Sequence, residues 1–97
     1  MIELDFLADS TEKTETRYVT FITPKLNRFD LAVMTTGRFY GKKIVFDLQK
    51  NIFAIIGPDD LAEPGYLEAA FCLSEEEAAE LAAFLEQVVG PVNFADQ

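Results

Sequence analysis

Lys43-Ile44-Val45-Phe46-Asp47-Leu48-Gln49-Lys50-Asn51-Ile52-Phe53-Ala54-Ile55-Ile56 decides the fold. Two runs rich in β-branched and aromatic residues, Lys43–Leu48 and Ile52–Ile56, flank three polar residues, Gln49, Lys50 and Asn51. Such residues suit a pleated, half-buried surface, and so short a polar join predicts a tight antiparallel hairpin. Ile52–Ile56 is apolar at every position, which predicts a central strand covered on both faces.

Working towards the N-terminus, Arg28–Thr36 alternates Phe29, Leu31 and Val33 against Arg28, Asp30 and Ala32, a strand with one face on a core. Arg17–Thr23 is dense in β-branched and aromatic residues and ends at Pro24, which cannot donate to a ladder. Ile2, Leu4 and Phe6 alternate with Glu3 and Asp5, predicting a short first strand before the polar loop Asp9–Thr16. Gly37 and Gly41 bracket Arg38-Phe39-Tyr40, where the chain should turn or bulge.

Towards the C-terminus, Gly57-Pro58-Asp59-Asp60-Leu61 predicts a short helical turn, with proline at its first position and Asp59 as its cap. Tyr66–Leu73 fits both periods and is read as a strand, with Cys72 between Phe71 and Leu73 as a small buried hydrophobe. Ser74-Glu75-Glu76-Glu77 has the spacing of a capping box. Ala78, Leu81, Ala82, Leu85 and Val88 then fall on one helical stripe, and Gly90 and Pro91 end the helix. Residues 91–97 are a tail that either docks through Phe94 or frays. The expected fold is α+β: an antiparallel β-meander of about five strands packed against one C-terminal amphipathic helix, a single domain over residues 1–97.

Composition narrows the chemistry. The 97 residues include no histidine and one cysteine, Cys72. Without imidazole, Ser-His-Asp and Cys-His catalysis and histidine-built zinc sites are excluded. A lone thiol cannot build an all-thiolate zinc or iron–sulfur site within one chain, nor an internal disulfide. The glycines match no nucleotide-binding pattern, and no cofactor is expected. Unpaired cysteine, no signal peptide and no long apolar run point to a cytoplasmic chain without a membrane segment. Charge is segregated. Residues 1–50 hold eight Lys/Arg and seven Asp/Glu, while residues 51–97 hold ten Asp/Glu and neither Lys nor Arg. The halves, +1 and −10, sum to −9.

Three clusters compete as sites. Lys25, Arg28, Arg38, Phe39, Tyr40, Lys42 and Lys43 mix cations with aromatic rings, the tentative binding surface. The same residue types, within Lys25–Lys50, suit phosphate contact and base stacking, although overall acidity opposes nucleic-acid affinity. Asp30, Asp47, Asp59 and Asp60 would form a divalent-metal or hydrolytic site if the fold gathered them. Glu75, Glu76, Glu80 and Glu86 read as the wet side of the last helix, or as a dock for a basic partner.

Phe53-Ala54-Ile55-Ile56-Gly57-Pro58-Asp59-Asp60-Leu61, Gly65-Tyr66-Leu67-Glu68, Leu73-Ser74-Glu75-Glu76-Glu77-Ala78, Arg28-Phe29-Asp30-Leu31 and Phe39-Tyr40-Gly41-Lys42 together have a familiar look. Through them the chain, over roughly Phe6–Val88, resembles a family of small uncharacterised proteins from Gram-positive bacteria. That resemblance implies a cytosolic stand-alone domain and brings no activity, cofactor or catalytic residue with it. The leading expectation is a non-enzymatic protein-binding or regulatory domain acting through a charge-polarised surface, with a protein partner or as a dimer. The alternatives are a small-ligand or metal-dependent enzyme on the aspartates, and nucleic-acid binding through Lys25–Lys50.

Overall fold

The computed structural model describes residues 1–89, so the expectations for Gly90, Pro91 and residues 91–97 lie outside it. Four strands form in chain order: β1 (Glu15–Ile22), β2 (Arg28–Thr35), β3 (Lys43–Asp47) and β4 (Ile52–Ile56). Each pairs antiparallel with the next, giving the sheet order β1-β2-β3-β4. Three helices follow, α1 (Pro58–Ala62), α2 (Tyr66–Phe71) and α3 (Glu75–Val89). The α+β class and the meander stand; the described strands are four and the described helices three.

The core lies between one sheet face and the helices. Phe29, Leu31 and Val33 of β2, Val45 of β3 and Ile56 of β4 meet Leu67 and Phe71 of α2 and Ala78, Leu81 and Leu85 of α3. Val45, Ile56, Phe71 and Leu85 are entirely hidden from solvent. Burying side chains of this size contributes roughly 1.5–3 kcal/mol each. The stripe expected on α3 therefore seals the core.

Several expectations are corrected. Ile2–Phe6 forms no strand, and residues 1–14 carry no regular structure. The alternation offers an apolar face, but no strand of the sheet pairs with it, and unpaired backbone gains nothing from being extended. Ile52–Ile56 is an edge strand rather than a central one, and Phe53 on its far side is 60% exposed. Tyr66–Leu73 is helical over Tyr66–Phe71, because Leu67, Ala70 and Phe71 reach the core on a helical spacing. Cys72 is exposed rather than buried. It ends α2 in the left-handed conformation, φ 56°, a position that turns its side chain away from the core stripe.

Polar side chains lock the joints. Asp47, buried at the end of β3, accepts the backbone N–H groups of Gln49 and Lys50 at 3.1 and 3.2 Å, which shapes the hairpin turn. Lys50 Nζ donates to the carbonyls of Phe71 and Cys72, both at 3.0 Å, capping the C-terminus of α2. The capping box is present: Glu77 N–H donates to Ser74 Oγ at 3.1 Å, and Ser74 N–H donates to Glu77 Oε1 at 3.0 Å. The Ser74 N–H bond first, and then the Ser74 hydroxyl, hold the Glu77 carboxyl below its ordinary pKa. Asp60, and not Asp59, serves α1, accepting the Gly57 N–H at 2.8 Å.

Replacing Ser74 by alanine should cost about 1 kcal/mol. For a chain of this size that lowers the melting temperature by roughly 4–8 °C. Calorimetry on Ser74→Ala checks this, and an unchanged melting temperature would remove the cap from the list of stabilising contacts.

Candidate functional site

The strand directions divide the expected binding residues between two ends of the sheet. Lys25 and Arg28 lie at the β1–β2 turn, whereas Arg38, Phe39, Tyr40, Lys42 and Lys43 lie at the opposite end, in and beside the β2–β3 loop. The eight residues of β2 separate the two groups by roughly 24 Å, at ~3.4 Å per residue. Lys25 pairs with Glu76 at 3.0 Å and Arg28 with Asp30 at 3.1 Å. Lys25 thus ties the β1–β2 turn to α3, a link doubled by Asn27 Nδ2 donating to Glu80 Oε1 at 2.7 Å, whereas the Arg28 pair stays within β2.

The four aspartates do not converge. Asp30 and Asp47 sit near the hairpin turns, and Asp59 and Asp60 sit beyond the other end of β4. Each of three has a local task. Asp30 accepts from Thr20 Oγ1 at 2.6 Å, from Gln49 Nε2 at 2.8 Å and from Arg28. The Thr20 bond, first among these, holds its carboxyl below the ordinary range. Asp47 shapes its turn and Asp60 holds Gly57 and Lys42. Among the described residues no group of three or more acidic or thiol side chains is placed to hold a metal ion.

What remains is the loop end. Here Lys42 N–H donates to the Phe39 carbonyl at 3.0 Å, and Gly41 takes the left-handed φ of +73° that closes the turn. Phe39 is half-buried, while Tyr40 projects with 96% of its surface exposed. Lys42 lies across Gly57, where an added Cβ would come within 2.8 Å of its Cγ, and its Nζ reaches Asp60 at 3.3 Å. Lys43 Nζ donates to Thr35 Oγ1 at 2.9 Å. Arg38 donates to Ser10 Oγ at 3.3 Å, a neutral partner.

Two contributors escaped the sequence reading. Arg17 lies on the core-facing side of β1, with its guanidinium 5.6 Å from the Phe84 ring centroid, and lines an open groove with Thr35, Lys43 and Val88. Its odd-numbered parity with Val19 and Phe21 is the signal that would have found it. Glu12 has no such signal. Its Oε2 accepts from Thr36 Oγ1 at 2.8 Å and from Gly37 N–H at 3.0 Å, latching the N-terminal arm to the loop. Among the described residues the ion pairs are Lys25–Glu76, Arg28–Asp30 and Lys42–Asp60, so Arg17, Arg38 and Lys43 have no carboxylate partner there. Guanidinium and ammonium donors beside an exposed phenol suit contact with carboxylates and apolar surface.

The model of the SAV0927-like family matches residues 7–87, and the chain belongs to that family. The match spans all four strands, the loop end and nearly all of α3. No curated protein matches the chain. No helix among the described residues is long and apolar enough to cross a membrane.

The latch makes a pH prediction. The Gly37 N–H bond, then the Thr36 bond, lowers the Glu12 pKa. A carboxyl lowered on folding contributes fully above its unfolded pKa and loses that contribution as pH falls through the lowered value. The Gly37 amide resonance should therefore titrate with a midpoint below the ordinary glutamate range, and Glu12→Gln should abolish the transition. A midpoint at or above the ordinary value would mean that the latch does not form.

Proposed function

We propose that this chain is a non-enzymatic protein-binding domain that engages an acidic partner segment at the loop end of the sheet. Arg38 and Tyr40 make the contact, with Phe39 supporting the loop from beneath and Lys42, Lys43 and Arg17 supplying positive charge around it. One observation carries the reading. In a chain of net charge −9, Arg17, Arg38 and Lys43 gather at one end without carboxylate partners among the described residues, beside a tyrosine that is 96% exposed. With Lys42 these cations outnumber Glu12, Glu15 and Asp60 at the same end, so that end attracts acidic segments and orients the approach of a partner while the acidic remainder of the surface repels them. Exposed tyrosine flanked by arginine is also the composition of binding hot spots. The unpaired Cys72 supports a reducing, cytosolic setting for this interaction.

Arg38→Glu is the discriminating variant, since Arg38 is exposed, its guanidinium bonds a serine hydroxyl, and its other bond, from the backbone N–H to Thr36 Oγ1, does not depend on the side chain. Lys42→Glu is less clean because it also breaks the Asp60 pair. The tagged chain should retain a stoichiometric protein from nuclease-treated lysate at low salt. Arg38→Glu and Tyr40→Ala should each reduce that recovery roughly fivefold or more, about 1 kcal/mol of binding. Melting should change by no more than ~0.5 kcal/mol, as for ordinary surface positions. Equal recovery by both variants would overturn this site, and recovery lost on nuclease treatment would reassign it to nucleic acid.

A further inference from the structure

The sheet face turned away from the helices has an unusual surface. Register places Tyr18, Ala32, Phe46 and Phe53 in one row across all four strands. The next row is Thr16, Met34, Ile44 and Ile55, so seven of these eight positions are apolar or aromatic. An antiparallel sheet with one solvated face normally carries polar residues there. None of the eight belongs to the core cluster on the opposite face, and of the eight only Ala32, at 4%, is buried. Phe46 and Phe53 meet with ring centroids 5.6 Å apart, and Tyr18 and Phe53 are 75% and 60% exposed. Tyr66 Oη donates to the Ile55 carbonyl at 3.2 Å, which occupies one backbone acceptor of β4.

We propose that this outer face is a two-fold interface with a second copy of the chain. Charge selects that occupant. Two chains of −9 repel wherever their acidic surfaces meet. On the outer face of the strands the charged residues are Arg28 and Asp30, which neutralise each other at 3.1 Å. A neutral, apolar patch can meet its own copy without repulsion, as an isologous contact requires. A basic or acidic partner would find no opposite charge there to recognise.

Area then assigns a role to the N-terminal arm. Four strands at ~4.8 Å spacing and five to eight residues at ~3.4 Å give roughly 420 Å² of projected face. That falls short of the ~800 Å² per partner of a stable specific interface. The arm supplies the rest. Ile2, Leu4, Phe6 and Leu7 are each at least 71% exposed on a segment rooted at the sheet end through Glu12. A phenylalanine such as Phe6 alone offers ~150–250 Å². In the dimer each arm lies against the other copy, alongside the paired faces. This surface contains none of the residues proposed to hold the acidic partner, so the two readings fail separately.

Sedimentation equilibrium on the full chain, from about 1 to about 200 µM, tests the interface through its concentration dependence. The wild type should sediment as a dimer, twice 10.9 kDa. Tyr18→Glu/Phe53→Glu should be monomeric with an unchanged far-UV spectrum. Tyr40→Glu, a single added carboxylate at the loop end, should remain dimeric. Removing Met1–Leu7 should raise the dissociation constant roughly tenfold or more. A monomeric wild type, or a double variant that stays dimeric, would overturn the proposal; an unchanged constant without the arm would overturn the arm's part in it. Should the double variant lose its folded spectrum, Tyr18→Glu alone decides, since that side chain is the more exposed of the two.

Discussion

The register of β2 is the constraint on which the rest of the structure depends. Phe29, Leu31 and Val33 must face α2 and α3, and strand periodicity allows no intermediate solution: a slip of one residue would expose all three. Once β2 is fixed, pairing through Ala32–Phe46 and Val33–Val45 sets β3, and Phe46–Phe53 sets β4. The same step sends Ala32 and Met34 to the far side and places the Thr36–Lys42 loop at the end remote from Lys25. Core, outer rows and loop end are thus three consequences of a single alternation.

Most of the charge that resembles a site in the sequence is spent on holding this arrangement. Lys50 reads as part of a basic stretch, yet its ammonium group stops α2 by bonding two of its last carbonyls. Asp47 and Asp60 have the look of metal ligands and satisfy backbone N–H groups at two turns. Lys25 and Asn27 fasten the β1–β2 turn to Glu76 and Glu80 of α3. Exposed pairs of this kind contribute little energy individually, about 0–1 kcal/mol. Their effect is geometric, because each joins segments distant in sequence at the point where the chain reverses.

The parts of the fold written in local chemistry were legible in the sequence. The hairpin around Gln49–Asn51, the proline start of α1 and the Ser74–Glu77 cap each depend on neighbours within four residues. What escaped depended on partners elsewhere. Ile2, Leu4 and Phe6 alternate like a strand, but a strand exists only where another edge accepts it. Tyr66–Leu73 satisfies both periods, and the spacing of core positions under α2 chose the helix. At the candidate site the loop residues were visible as a cluster of types, while their separation from Lys25 and Arg28 required strand directions. Glu12 could not be singled out at all, since a carboxylate in a polar run is distinguished only by the Thr36 and Gly37 donors that reach it.

The misreading of Ile52–Ile56 is informative in a different way. Five apolar residues in a row predict cover on both faces, and the chain itself supplies cover on one. Phe53 and Ile55 lie in the two outer rows, so the sequence writes a second buried face that its own helices never reach. An edge strand facing only solvent on that side gains nothing from Phe53 at 60% exposure, and an exposed apolar face carries an aggregation hazard. The outer face also lacks the excess of carboxylates that runs along α3, where Glu75, Glu76, Glu77, Glu80 and Glu86 lie. Charge is kept off one surface and concentrated on another within fewer than a hundred residues. Solubility alone would distribute it more evenly. The proposed dimer would account for both features: the acidic side would keep molecules apart in every orientation except the one in which their neutral faces meet.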